Sequence, residues 1–120
     1  DIAERLAANR LTRFDRGYAD SAEPKSIAEI NKNGFNIKPV EKGSDSIRFG
    51  INIMQSEPFQ ITARSVNAIE ELRNYCWDTD KTGKNLNRPI DAFNHCIDAM
   101  RYFEMMAKLK PVYRPIKMKF

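Results

Sequence analysis

The sequence predicts an α/β fold with at least one pair of parallel strands. Strand-like and helix-like segments alternate along the 120 residues, and a helix-like segment separates the first two strand-like ones. Two strands that are joined through a crossover helix run parallel in one sheet. The length suffices for one domain, and 42% hydrophobic residues is an ordinary content for a globular protein. We therefore expect one globular domain with a modest core.

The first half of the chain contains the predicted strand–helix–strand unit. Residues 1–11 have helical spacing of apolar side chains, and residues 14–19 predict the first strand. The next helix begins near Pro24, which suits a first helical turn, and ends at Gly34, which is typical of left-handed helix termini. Alternating apolar and polar residues over 35–39 predict the second strand. The apolar side of the connecting helix is predicted to consist of Ile27 and Ile30.

The second half of the chain adds three predicted helices and one further strand. A helix that stops before Pro58 is predicted to bury an apolar stripe formed by Ile47, Ile51 and Met54. Residues 59–61 alternate as a short strand, and Ser65 can cap the next helix. The apolar side of that helix is Val66, Ile69 and Leu72. Residues 78–87 predict a polar turn, and residues 91–109 predict a long final helix.

The final helix is predicted to have two chemically different faces. At about 100° per residue, four polar or aromatic side chains fall within a wedge of roughly 60°. They are Asp91, His95, Asp98 and Tyr102. A core stripe is expected on the opposite side, formed by Phe93, Cys96, Ile97, Met100, Phe103 and Ala107.

The polar face of this helix allows two interpretations. Two carboxylates along one line suit a hard divalent cation such as Mg²⁺, which binds one or two carboxylates together with water and phosphate oxygens. His95, the only histidine of the chain, can orient water or carry a proton when it lies one turn from a carboxylate. Alternatively, the face is simply solvated, as the polar side of an amphipathic helix often is.

Asp20 is a second candidate site residue. It lies where the first predicted strand ends and a helix follows, and ligands of α/β sheets collect at this edge. The alternative is that Asp20 caps the helix, because Asp is favoured at that position.

Several classes of protein are disfavoured by the sequence. It contains no phosphate-binding loop, no nucleophile elbow and no Rossmann glycine pattern. Its two cysteines, Cys76 and Cys96, are too few for a disulfide framework and lack partners at zinc spacing. No apolar run approaches the ~20 residues of a membrane span. We therefore expect reduced thiols in a cytoplasmic protein without membrane contact.

The positive charge of the chain is concentrated near its end. The formal net charge of +4 comes from residues 61–120, because the basic and acidic side chains of residues 1–60 balance. The basic residues of the terminal segment are Lys108, Lys110, Arg114, Lys117 and Lys119, and no acid accompanies them. With Arg101, they are candidates for contacts to DNA phosphates or to an acidic partner. A solubilising terminus is the alternative.

Two segments carry a resemblance to a known family. The segment ADSAEPKS at residues 19–26 is followed by DAFNHCIDAMRY at residues 91–102, with VEKG, DSIR and ELRNY in order between them. In these segments the chain resembles the C-terminal nuclease domain of tailed-phage terminase large subunits, over nearly its whole length. The resemblance implies an RNase H-like fold, here a partial mixed sheet flanked by helices. It also implies a metal-dependent endonuclease that cuts concatemeric phage DNA during genome packaging.

The resemblance assigns roles to three residues. Asp20 and Asp98 match the family's second and third metal-binding acids, and His95 matches the histidine three residues before the last acid. It implies two Mg²⁺ or Mn²⁺ ions, which carry out phosphodiester hydrolysis. We expect the Asp20 and Asp98 carboxyl groups within roughly 4–7 Å of each other, since one or two cations can bridge that span.

The first acid of the family belongs to a strand upstream of Asp20 that this chain does not contain. We therefore expect residues 1–109 to be the C-terminal part of the nuclease domain, inactive alone, and residues 110–120 to be a basic tail. The partners that the resemblance implies are double-stranded DNA, the portal protein and the terminase small subunit, in the host cytoplasm. Alternatives are an RNase H-like resolvase and a non-catalytic module that binds DNA or the portal.

Overall fold

The computed structural model describes residues 1–43 and 45–109, which form five helices and two small sheets. The chain divides into two compact units. Of the described residues, the first unit contains 1–41 and 103–109, and the second contains Lys42–Tyr102. Within the described residues, no helix combines the length and the apolar character that crossing a membrane requires.

The first unit contains the predicted strand–helix–strand arrangement. Its elements are α1 (Ile2–Ala8), β1 (Arg16–Ala19), α2 (Pro24–Lys32) and β2 (Asn36–Pro39). The two strands pair in parallel, with Gly17 opposite Ile37. The pairing continues beyond β1 and β2, where the Val40 amide donates to the Ala19 carbonyl at 2.9 Å. The predicted parallel pair is therefore confirmed.

Apolar side chains from α2 and from the segment after β2 supply buried residues of the first unit. Ile27 and Ile30 are buried as predicted, and Val40 is 3% exposed. Gly34 has φ +92°, a left-handed conformation that Gly adopts readily and that ends the helical segment before β2. Further buried residues of this unit are Met105 and Met106.

The second unit contains three helices or helix segments and a hairpin. Its elements are α3 (Ser46–Ser56), α4 (Val66–Asn74), β3 (Trp77–Thr79), β4 (Asn85–Pro89) and the start of α5 (His95–Leu109). Strands β3 and β4 pair antiparallel. The turn between them is held by Asp80, whose Oδ1 accepts from the Thr82 and Lys84 amides at 2.8 and 3.0 Å.

Three predictions of secondary structure are wrong. Residues 59–61 form no strand, and Pro58 beside them has no N–H to donate to a ladder. The predicted polar turn at 78–87 contains most of the β3–β4 hairpin, because its polar residues conceal short strands. Helix α5 begins at His95 rather than at residue 91. Phe93 explains this difference, because its φ of +53° is incompatible with a right-handed helix.

Three predicted core stripes are also partly wrong. Val66, expected on the apolar side of α4, is 64% exposed. Ile47 of α3 is 43% exposed, so the buried residues of this helix are Gly50 and Met54. Phe93 and Phe103, expected in the core, are exposed. Ile97 of the predicted stripe is buried, and the other buried residues of α5 are Arg101, Met105 and Met106. Ile97, Arg101 and Met105 are spaced four residues apart on one helical face, and the sequence pattern missed the last two because a charged residue occupies the centre of that face.

Candidate active site in a cleft of the second unit

A cleft with a volume of about 340 Å³ lies in the second unit. Its walls come from the start of α3, the end of α4, strand β4 and the first two turns of α5. The polar and aromatic side chains among the lining residues are Lys42, Ser46, Tyr75, Arg88, Asp91, Asn94, Asp98, Arg101 and Tyr102. Carboxylates and cations thus face the same space, which is the composition expected where ions or phosphates bind.

Asp98 is the acid of α5 that reaches this cleft. Its amide donates to the Asn94 carbonyl at 2.7 Å, which fixes the residue in the first turn of the helix. Its Oδ1 accepts from Nη2 of Arg101 at 3.1 Å, and the Asp98 side chain stays 34% exposed. The carboxylate is therefore oriented by a cation and still accessible from solvent.

Arg101 has a different position from the one the sequence suggested. It is 3% exposed and paired with Asp98, so it is not the exposed cation that a phosphate-contact role assumes. Its guanidinium lies 4.8 Å from the centre of the Tyr102 ring, and Nζ of Lys42 lies 5.4 Å from the same ring. Both distances are within the range of cation–π attraction. Arg101 therefore connects Asp98 with the aromatic wall of the cleft.

The pKa of the Tyr75 phenol depends on the charges of the cleft. Burial is the first cause that raises the pKa of its phenol above the ordinary value. The negative charges of Asp98 and Asp91 raise this pKa further, and the positive charge of Arg101 lowers it. The two carboxylates and the guanidinium are therefore close enough to Tyr75 to act on its ionisation.

Asp91 lies in the cleft, although it does not belong to α5. Its Oδ1 accepts from the Asn94 side-chain amide at 3.1 Å, within the segment that precedes the helix. The prediction that Asp91 shares a helical face with His95 and Asp98 is therefore wrong, although Asp91 and Asp98 line the same cleft.

His95 is the first residue of α5, three positions before Asp98, and its side chain is exposed. Its amide does not bond within the helix but donates to Oε1 of Glu71 at 3.1 Å. Glu71 is a buried residue of α4 to which the sequence pattern gave no role. The sequence contains little that indicates this role, because the hydrogen-bond partners of Glu71 are backbone amides more than twenty positions away along the chain.

Asp20 lies in the first unit, immediately after β1. Its Oδ1 accepts from the Ala22 amide at 2.9 Å, and its carbonyl accepts from the Glu23 amide at 3.2 Å. Glu23, not Asp20, is the residue that precedes the first turn of α2, so the helix-cap alternative is wrong. Asp20 closes the turn at the carboxyl end of β1. The separation of 4–7 Å from Asp98 stays a prediction.

The donor chemistry of these residues fits a hard divalent cation, although the set is small. Asp98 and Asp91 offer carboxylate oxygens in one cleft, and oxygen is the ligand that Mg²⁺ and Mn²⁺ prefer. Within residues 1–43 and 45–109, no three His, Cys, Asp or Glu side chains come together as a metal site. The basic tail at 110–120 lies outside the described residues.

Comparison with known proteins gives a consistent result. The family model of the terminase RNase H-like domain matches residues 10–104. The large terminase subunit of Bacillus phage SPP1 is 36% identical over 95 residues, which cover 72% of this chain and 22% of that protein. The crystal structure of the SPP1 large terminase nuclease domain with bound Mn is similar with a TM-score of 0.72 and 35% identity. The match covers 88% of this chain and 62% of that one.

These similarities confirm the RNase H-like α/β fold that the motifs implied. The chain spans less than a quarter of the large subunit and about three fifths of the solved nuclease domain. Since the family model extends over most of its length, the chain belongs to the family of terminase RNase H-like domains.

Proposed function

We propose that this chain is part of a metal-dependent DNA endonuclease that cuts concatemeric viral DNA during packaging. The observation that carries the proposal is Asp98, an accessible carboxylate that Arg101 orients in a cleft with a second acid. The similar SPP1 nuclease domain contains Mn, which supports the use of a divalent cation at such a site.

The proposed chemistry is hydrolysis of a phosphodiester. Two Mg²⁺ or Mn²⁺ ions, when bound, would supply an activated water and stabilise the leaving oxygen. Asp20 and Asp98 would hold the ions through carboxylate oxygens, as their match to the family's acids implies. His95 has an exposed imidazole, which would assist at the second ion or position the scissile phosphate.

Removal of the Asp98 charge tests this proposal. In a large subunit that carries this chain, we expect Asp98→Asn to lower Mn²⁺-dependent plasmid nicking by at least about 100-fold, because an amide is a poor ligand for a hard cation. The matched control is Glu70→Gln, which also converts a carboxylate to an amide, on an exposed position of α4. Equal nicking by Asp98→Asn and the parent would contradict the catalytic role.

The chain by itself is proposed to be inactive, because the family's first acid lies upstream of Asp20. We expect the 120-residue chain to show no nicking under conditions in which the large subunit cuts. Binding of double-stranded DNA without cutting by the large subunit would favour a non-catalytic module instead. Preferential cutting of branched over linear DNA would favour a resolvase.

The proposed partners are double-stranded DNA, the portal protein and the terminase small subunit. The DNA proposal is supported by the cations Lys42 and Arg88 at the cleft, since a phosphate backbone is attracted to positive charge. The other two partners rest on membership in the family alone.

A further inference from the structure

Glu71 makes a contact between helices that the proposed chemistry does not yet use. This residue of α4 is 8% exposed, and both oxygens of its carboxylate bond to the start of α5. Oε1 accepts from the His95 amide at 3.1 Å, and Oε2 accepts from the Ile97 amide at 3.0 Å. A buried carboxylate with two backbone donors is a strong, geometrically defined interaction.

The first turn of a helix explains why this contact matters. The first four amides of an α-helix have no carbonyl one turn earlier within the helix to bond. In α5 the Asp98 amide bonds to the Asn94 carbonyl, and Glu71 accepts from two of the remaining three amides. The negative charge of Glu71 also lies at the positive end of the helix dipole. The position and direction of this turn are thus set from α4.

We propose that Glu71 is a positioning residue for the nuclease site, acting through the backbone of His95 and Ile97. The turn that it holds carries both the histidine and the acid of the proposed site, so a shift of this turn moves Asp98 relative to the bound ions. The inference depends on the proposed function, because it assigns Glu71 a role in metal binding rather than in folding alone.

The variant Glu71→Gln tests the contact with almost no change in size. One end of the new amide can accept, but the other end is an NH₂ group that would face a backbone N–H. In the 120-residue chain we expect hydrogen exchange of the His95 and Ile97 amides to become at least about tenfold faster, since a buried hydrogen bond is lost. The Ile30 amide of α2, in the other unit, should be unaffected.

Metal dependence separates positioning from simple loss of folded protein. In the large subunit, Glu71→Gln should raise the Mn²⁺ concentration for half-maximal nicking by about tenfold, as loss of a group that supports metal ligands typically does. A variant that only reduced the folded fraction would lower the maximal rate at an unchanged Mn²⁺ midpoint. Glu70→Gln, the neighbouring exposed position, should change neither quantity.

A second variant keeps the inference testable if Glu71→Gln does not fold. Glu71→Asp retains the charge but is one methylene shorter, so it cannot reach both amides, and its Mn²⁺ midpoint should also rise. An unchanged midpoint in the folded variants, with unchanged amide exchange, would overturn the positioning role. Nicking by Asp98→Asn, measured in parallel, distinguishes failure of the positioning role from failure of the proposed function. If it cuts like the parent, the proposed function itself is wrong.

Discussion

The phenol of Tyr75 lies where burial and the charges of the cleft act on one ionisable group. Its raised pKa means that the folded protein keeps the neutral phenol at a pH where the unfolded chain has lost the proton. The resulting stabilisation is fully present below about pH 10, the ordinary pKa of tyrosine. It is lost as the pH rises through the pKa of the folded state. We therefore expect stability to fall above about pH 10.

Charge substitutions in the cleft should move the Tyr75 pKa in opposite directions. Asp98→Asn removes a negative charge that raises this pKa and should lower it toward the ordinary value. Arg101→Met removes the positive charge that lowers the pKa and should raise it. The measurement is an NMR titration of the Tyr75 ring, with Tyr18 of the first unit as internal control. Shifts in the same direction for both variants would contradict the described geometry.

At the same scale, the sequence identified some residues of the site and missed others. Asp98 and His95 could be named because helical spacing and the family motif both point to them. Glu71 is part of the ELRNY segment of the resemblance but could not be given a role, because it bonds to backbone amides, which leave no trace in the pattern of side chains. Arg101 was misread as an exposed cation, because the sequence does not show that Asp98 neutralises it in a buried position.

At the scale of elements, the parallel pair was predictable and the hairpin was not. The helix between β1 and β2 forces them to run in the same direction, and its limits are marked by Pro24 and Gly34. Strands β3 and β4 are three and five residues long and rich in polar residues, so their pairing shows no hydrophobic alternation. Residues that start or end helices, such as Pro24 and Gly34, thus predicted the elements better than the periodicity of apolar side chains did.

The pairing of β1 with β2 leads to a testable prediction at Gly17. A Cβ at this position would collide with Cδ1 of Ile37, the residue opposite Gly17 in the parallel register. We expect Gly17→Ala to destabilise the protein by no more than about 0.5–1.5 kcal/mol, because Cδ1 is the tip of a flexible, half-buried side chain that can change its rotamer to make room. Urea unfolding followed by circular dichroism measures this loss.

Removal of the opposing atom should relieve the collision. Ile37→Val lacks Cδ1, so the double variant Gly17→Ala/Ile37→Val should lose less stability than the sum of the two single variants. Strict additivity would show that Ile37 is not the side chain that Gly17 accommodates. The control is Gly43→Ala, since a Cβ at Gly43 meets nothing within 4 Å.

At the scale of the whole molecule, the chain divides into two compact units, and the two residues that match the family's acids belong to different units. Asp20 belongs to the first unit, while Asp98, His95 and Glu71 belong to the second. Spacing along the chain could not reveal this division, because the last helix contributes to both units. The family motifs identified Asp20 and Asp98 without any knowledge of the two units, since the order of the motifs along the chain is sufficient for a match.

The basic tail provides the last prediction, which concerns binding of DNA by the chain. Arg101 is paired within the cleft, so the cations available for phosphates near the end of the chain are Lys108, Lys110, Arg114, Lys117 and Lys119. Four phosphate contacts would give a slope of about −3.6 for log affinity against log salt. Deletion of residues 111–120 removes three of these cations and should flatten the slope by about two to three units.

The measurement is fluorescence anisotropy of a random-sequence duplex over a series of salt concentrations. A variant in which residues 111–120 are scrambled is the matched control, because it keeps every charge and should keep the slope if binding depends on phosphates alone. If the deletion leaves the slope unchanged, the tail makes no phosphate contacts, and its role is docking to a protein partner or none. If scrambling also flattens the slope, recognition depends on the order of residues in the tail, which charge alone cannot explain.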